Sequence, residues 1–290
     1  MNTITSRQNP LVAKFRSGRI GRLPQKQVLL DGARLIEDAQ DSKVKIDVAL
    51  FSVSALKSNA RLTGLAKRLA DSGARVLNVS EVVMRAASPV QTPSGVVAIA
   101  IHQPYPLTRI MNNIKNGLVL VAVGVQNPGN VGSIIRTAEA GGANAVITTE
   151  GTADPFGWKA LRGSMGSSFR LPVATTKNLK KLLSTAKQHG AKVVAAAPRG
   201  GTGLYDADLT APTFLLVGPE GTGLEQKLGV DIDFRLSVPM QAGVESLNVS
   251  TATGLIIYEA RRQAIHSQRR SNPSNPKRSN SHRRNNRSDR

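Results

Sequence analysis

Short apolar runs alternate with amphipathic stretches along most of the chain. In the first third, VLLDGARLIEDA (28–39) predicts a strand passing into a helix, and KIDVALFS (45–52) a second strand. SALKSNARLTGLAKRLADSG (54–73) predicts a helix, ARVLNVS (74–80) a strand, EVVMRAA (81–87) a short helix and GVVAIAIH (95–102) a strand. HQPYPLTRIMNN (102–113), with two prolines, reads as a linker. LVLVAVGV (118–125) is then a near-continuous apolar run, the pattern of a strand buried on both faces in a parallel sheet. A helix is expected over 130–142, with Asn130 as N-cap and a glycine pair as its stop. Further strands are expected at 145–149, 169–175, 191–197, 213–218 and 234–240, and helices at 178–190 and 246–266. The pattern predicts an α/β protein: a small α/β domain over 1–106 and a parallel sheet covered by helices over 107–266. After His266 the chain turns to Ser, Asn, Arg and Pro, with too little apolar surface to offset ordering entropy, so 267–290 is expected to be a disordered basic tail.

Composition sharpens this picture. One Trp, three Tyr and six Phe leave Val, Leu, Ile and Ala to build the cores, which suits α/β layers better than an aromatic-rich sandwich. No run reaches the length of a membrane span and the N-terminus shows no apolar signal core, so a cytoplasmic protein without membrane contact is expected. Cysteine is absent, which excludes disulfides, thiolate metal sites and a cysteine nucleophile. His102, His189, His266 and His282 fall in no triad or metal spacing, and no metal is expected. Lys and Arg number 39 against 19 Asp and Glu, a net charge of +20 that points to a polyanionic partner, nucleic acid ahead of an anionic membrane. Arg7, Lys14, Arg16 and Arg19 lie in a basic, Gly-containing stretch that reads either as a solvated terminus or as an arm touching that partner.

The familiar nucleotide fingerprints fail. GGTG (200–203) lacks the third glycine of a dinucleotide loop, and GPEGTG (218–223) lacks the Lys-Ser/Thr of a P-loop. What remains are polar residues just beyond strand ends, where parallel sheets bind ligands. VQNPGNVGSIIRTAEAGGA (125–143) turns through Asn127, Pro128, Gly129 and Asn130, places Arg136 on the following helix, and has Gly132 and Ser133 where another segment or a phosphate can approach closely. LLVGPEGTGL (215–224) feeds a strand into a glycine-rich loop, and VPMQAGVESLNVSTATGLIIYEA (238–260) joins a strand to a helix through Gly243 and a cluster of hydroxyls and amides.

Taken together, in this order and spacing, the three segments closely resemble the signature motifs of the SpoU/TrmH branch of the SPOUT RNA methyltransferases, over 118–264. DPFGWKALRGSMGSSFRLPV (154–173) resembles that branch too, and VLLDGARLIEDA and TPSGVVAIA resemble the RNA-binding domain that accompanies its ribosomal-RNA members. The resemblance implies a C-terminal trefoil knot, S-adenosyl-L-methionine as cofactor, a homodimer with its catalytic groups near the subunit interface, and methylation of a ribose 2′-hydroxyl. It implies cofactor contacts from Ala196, Gly218, Glu220, Gly221, Val238, Met240, Leu247 and Asn248, and catalytic roles for Asn130, Arg136, Glu220, Ser246 and Asn248. A guanidinium stays protonated in proteins, so Arg136 is expected to grip the target phosphate and orient it rather than act as a base. The N-terminal domain favours 23S rRNA as substrate; a tRNA 2′-O-methyltransferase and a non-catalytic RNA-binding ribosome-assembly protein are the alternatives.

Overall fold

The computed structural model describes residues 3–24, 26–113, 117–218 and 231–271. In the first part, α1 (Pro10–Arg19), β1 (Gln27–Asp31), α2 (Ala33–Asp41), β2 (Lys45–Ser52), α3 (Val53–Ser58), α4 (Ala60–Asp71), β3 (Arg75–Val79), α5 (Glu81–Ala87) and β4 (Val96–Ile101) follow one another. They build a four-stranded sheet of order β1-β4-β2-β3, with β4 antiparallel to both neighbours and β2 parallel to β3.

The second part contains α6 (Leu107–Asn112), β5 (Leu118–Ala122), α7 (Pro128–Gly141), β6 (Ala145–Thr149), α8 (Trp158–Ser164), α9 (Ser167–Arg170), β7 (Val173–Thr176) and α10 (Leu179–Gln188). It continues through β8 (Lys192–Ala197), β9 (Thr202–Gly203), β10 (Thr213–Val217), β11 (Phe234–Ser237) and α11 (Val249–Ser271). Its seven strands pair in parallel in the order β7-β6-β5-β10-β8-β11-β9. β5, β6 and β10 are buried at every position, as continuous apolar runs in a sheet covered on both faces must be.

Several elements depart from the sequence pattern. Helix α1 occupies the basic stretch, started by Asn9, whose side chain accepts from the Leu11 amide, and by Pro10 with its preset φ. The helix expected over 54–73 is two helices, because Asn59 leaves the helical region (φ −136°, ψ 100°) and caps α4 through the Arg61 amide. The linker contains α6, whose Ile110 and Met111 are buried against β5 and β10 with Val119, Val121 and Phe214. Residues 167–170 are helical rather than extended; Leu171, constrained by Pro172, turns extended and β7 starts only at Val173. α11 begins at Val249 and runs to Ser271, past the expected end at 266. The rest of the proposed tail, 272–290, lies outside the described residues.

The two sheets share apolar packing. One continuous cluster runs from Leu30, Ile36 and Phe51 in the first part to Leu120, Ile134 and Leu161 in the second. α8 lies at the junction: Trp158 packs against the cluster holding Phe15 and Met84, and its indole N–H donates to the Arg19 carbonyl at 3.0 Å. Arg170 adds charge. Its guanidinium donates to both carboxylate oxygens of Glu139 on α7, at 2.6 and 2.8 Å, and lies 4.0 Å from Asp38 on α2. Burial pushes the Glu139 carboxyl up, but hydrogen bonds from Arg170 and Ser167 and the charge of Arg170 outweigh it and hold it below its ordinary value.

The backbones of α7 and α8 pack directly on each other. A Cβ on Gly132 would meet the Ala160 carbonyl oxygen at 2.4 Å and the Ser164 amide nitrogen at 2.9 Å, both backbone atoms that cannot rotate away. Gly132→Ala should therefore destabilise the protein by about 2–4 kcal/mol, measured by denaturant unfolding, because the helices must separate. Arg170→Ala should cost about 1–2 kcal/mol, a modest value because Arg170 is 41 % exposed. The Glu139 contribution is present above its unfolded-state value of 4.5 and is lost as pH falls through the lower folded-state value. The stability gap between the wild type and Arg170→Ala should accordingly narrow below pH 4.5.

Candidate active site at the carboxyl ends of the large sheet

Four neighbouring strands, β5, β10, β8 and β11, run parallel, with Ala122 opposite Val217, Leu216 opposite Ala195 and Ala197 opposite Ser237. Their carboxyl ends therefore emerge along one edge, and the segments that follow them are neighbours in space though far apart in sequence. All three polar segments singled out from the sequence leave this edge.

The first segment is held by its own turn. Asn127, not Asn130, is the N-cap of α7: its side-chain oxygen accepts from the amides of Gly129 at 2.8 Å and Asn130 at 3.4 Å, with Pro128 at the first helical position. The Asn-Pro pair was the available signal, because the proline marks the first helical residue and the cap stands before it. Asn130 is thereby released from capping. Its side-chain oxygen accepts from the Asn248 side-chain nitrogen at 3.2 Å.

Asn248 uses both ends of its amide. The oxygen accepts from the Ser250 amide at 2.9 Å and from the Ser250 hydroxyl at 2.6 Å, fastening the first turn of α11. The nitrogen is left to donate to Asn130. This division fixes which way round the amide sits and ties the first polar segment to the third.

Arg136 projects from α7 as an exposed residue and, among the described residues, makes no ion pair or side-chain hydrogen bond. Its guanidinium is available to an anion. Ser246 is half-buried in the segment leading into α11. Ala196, Val238, Met240 and Leu247 are apolar residues left half-buried along this edge, and Gly218 follows the end of β10. The turn at Gly243 has φ 89°, and the residue after it is fastened by Arg199, which donates to the Val244 carbonyl at 3.1 Å. Glu220 and Gly221, also singled out from the sequence, lie outside the described residues.

The glycine at 132, read from sequence as room for another segment or a phosphate, is filled by the backbone of α8. His102 stacks on Phe156 with ring centroids 4.4 Å apart, and burial pushes its imidazole below the ordinary value. His189 closes α10 through the Thr185 carbonyl, and His282 lies outside the described residues. Among the described residues no group of His, Cys, Asp or Glu is arranged to hold a metal ion.

This arrangement has known counterparts. Residues 117–258 match the model of the SpoU rRNA Methylase family, and residues 13–98 match an MRM3-like substrate binding domain. An uncharacterized tRNA/rRNA methyltransferase of Synechocystis is 35% identical over 90% of this chain and 94% of its own length. The 23S rRNA (guanosine(2553)-2′-O)-methyltransferase RlmP of Bacillus subtilis is 32% identical, over 80% of this chain and 88% of its own. The crystal structure of an AdoMet-bound rRNA methyltransferase from Sinorhizobium meliloti superposes with a TM-score of 0.77 at 29% identity, covering 90% of this chain and 97% of that one. Sequence, domain pairing and fold agree over nearly the full length, and the chain belongs to the SpoU rRNA methylase family.

Proposed function

We propose that this protein is an S-adenosylmethionine-dependent methyltransferase that methylates a ribose 2′-hydroxyl of 23S rRNA. The observation that carries the reading is the Asn130–Asn248 hydrogen bond, which joins two polar segments at the carboxyl edge of a parallel sheet, with Arg136 exposed further along α7. Relatives named for 23S rRNA guanosine 2′-O-methylation support the substrate.

The residues at the edge suit the cofactor. An adenosine needs a flat, partly apolar seat with backbone groups at its rim. Ala196, Val238, Met240 and Leu247 offer half-buried apolar surface, with the backbone of Gly218 beside them. Glu220, Gly221 and Asn248 complete the proposed set. When bound, the cofactor supplies an electrophilic methyl group, so the chemistry left to the protein is modest.

A ribose hydroxyl is a weak nucleophile near neutral pH, and its oxygen must be held in line while its proton leaves. Arg136 would grip the adjoining phosphate through two N–H groups. Asn130, Ser246 and Asn248 would orient the ribose, and the hydroxyl proton would pass to an oxygen of the phosphate that Arg136 holds. The guanidinium positions and stabilises without giving up a proton.

The remaining assignments belong to the same reading. Residues 1–106 would bind substrate RNA, 107–266 would catalyse, and 267–290 would add non-specific RNA affinity through counterion release. The trefoil knot rests on family likeness together with the crossed strand order β10-β8-β11. A homodimer is supported by an open groove beside α7 and α11, where Leu255 and Tyr258 on α11 and Tyr205 in the turn after β9 leave large apolar surface exposed. As an rRNA-modifying enzyme the protein would work where its substrate is, in the cytoplasm.

The primary test is transfer of tritiated methyl from the cofactor to purified 23S rRNA and to tRNA, with alkali-resistant linkages mapped in the product. Label on 23S rRNA at a 2′-oxygen is expected; label on tRNA alone would redirect the substrate, and cofactor binding without transfer to either RNA would favour the non-catalytic alternative. Arg136→Lys keeps the charge but loses the two-pronged grip, so kcat/KM should fall at least about tenfold while cofactor affinity by calorimetry is unchanged. Near-wild-type turnover for that variant would rule out positioning by Arg136. Leu255→Asp combined with Tyr258→Asp should shift sedimentation equilibrium to a monomer and reduce transfer strongly; an unchanged mass would dismiss this face as the subunit contact.

A further inference from the structure

The junction between the two sheets holds a half-open pocket of about 370 Å³, inside the size range of small-ligand sites. The end of β1 and the first turn of α2 form one wall, the start of α4 a second, and α8 with its terminal Met165 a third. Three arginines line it, Arg34, Arg61 and Arg162. Arg61 is committed to Glu37, and Arg34 lies 3.4 Å from Asp38. Among the described residues, Arg162 makes no side-chain hydrogen bond or ion pair, although its charge acts on Asp31.

Asp31 is a carboxylate that the cavity leaves only partly satisfied. It is half-buried, and among the described residues its side chain accepts one hydrogen bond, from the Ser88 hydroxyl at 2.9 Å. A carboxylate offers about four acceptor positions. Burial pushes its carboxyl above the ordinary value, against the Ser88 bond and the Arg162 charge. A ligand presenting N–H donors would relieve that cost.

The place matters as much as the chemistry. Gly163 follows Arg162 directly and packs on the Gly129 carbonyl and the backbone of Gly132, the segment that carries Asn130. The cavity and the proposed methylation site thus lie against the same helix.

We infer that this cavity is a nucleobase pocket for an unpaired guanine of the RNA, with Asp31 accepting from adjacent N–H groups and Arg162 holding the nucleotide's phosphate. The inference rests on the RNA-methylating reading above. Proteins that read RNA sequence commonly take splayed single-stranded bases by their Watson–Crick edges. Guanine alone presents two neighbouring donors there, N1–H and the N2 amino group, matched to the two oxygens of a carboxylate. Adenine and cytosine set one donor beside an acceptor, and uracil sets one donor between two acceptors.

The test titrates the full-length protein with guanosine, inosine and adenosine 5′-monophosphates by calorimetry, with saturating S-adenosylhomocysteine to keep nucleotides out of the cofactor seat. Guanosine monophosphate should bind about tenfold tighter than inosine monophosphate, which lacks the N2 amino group, and adenosine monophosphate weaker still. Asp31→Asn should erase the preference with S-adenosylhomocysteine affinity unchanged. Arg162→Gln should weaken guanosine monophosphate but not guanosine. Equal affinities across the series for the wild type, a comparison that needs no variant, would overturn the pocket, as would a preference that survives Asp31→Asn. Methyl transfer to 23S rRNA is measured alongside. A wild-type protein that shows the guanine preference yet transfers no methyl would remove the functional reading and leave the pocket, whereas transfer without the preference would do the reverse.

Discussion

Helix α7 has almost no freedom to move, and the geometry of the proposed site depends on that. On one side its backbone touches the backbone of α8 at Gly132. On the other, Gly141 lies where a Cβ would meet the Ile257 side chain of α11 at 2.1 Å. Two missing side chains on different faces of one helix let it sit close to both neighbours, and close contact over backbone gathers many small dispersion terms. α8 in turn reaches the first sheet through Trp158, and α11 carries Asn248 at its start. Displacing α7 would therefore disturb the junction of the two sheets and the proposed active site at once.

Within that frame the polar residues are arranged in sequence, each freeing the next. Asn127 takes over the cap of α7, which releases the side chain of Asn130. Asn248 spends its oxygen on Ser250, which leaves only its nitrogen for Asn130. The outcome is a small network whose members are oriented without any substrate present. Preorganisation of this kind lowers the reorganisation needed when a hydroxyl and a phosphate arrive. It also explains the asymmetry of the site: the asparagines are tied down, whereas Arg136 makes no side-chain hydrogen bond or ion pair among the described residues.

How far the sequence discloses this can be followed residue by residue. The buried strands β5, β6 and β10 were legible because continuous apolar runs between helical patterns have few other interpretations. The helix of residues 167–170 was not, because FRLPV alternates like a strand and only the packing of Phe169 and Ser168 in the core reveals the turn. Helix α1 was concealed by its charges, although Asn9-Pro10 announced it. In N-P-G-N the proline marks Asn127 as the cap, but the partner that the released Asn130 then meets is not local: Asn248 lies 118 residues away. The proposed site residues were recognised as a set from family motifs, but their division of labour is a tertiary fact.

The charge of the chain follows the same logic of commitment. Many of its acids are engaged by cations: Glu37 by Arg61 and Arg68, Glu139 by Arg170, Glu259 by Arg262, and Asp231 and Asp233 by Lys187. Because 39 basic residues face 19 acids, pairing them off consumes the negative charge and leaves an excess of cations directed at solvent. The cationic ends of most of these pairs stay in solvent, so an effect beyond stability is to determine where uncompensated positive charge remains. Arg136 and Arg162 are both left without an ion pair among the described residues, on α7 and α8, two helices whose backbones pack directly on each other. A polyanion drawn by the overall field would find fixed partners on both members of this helix pair. Long-range attraction and local positioning are in this way served by one structural element.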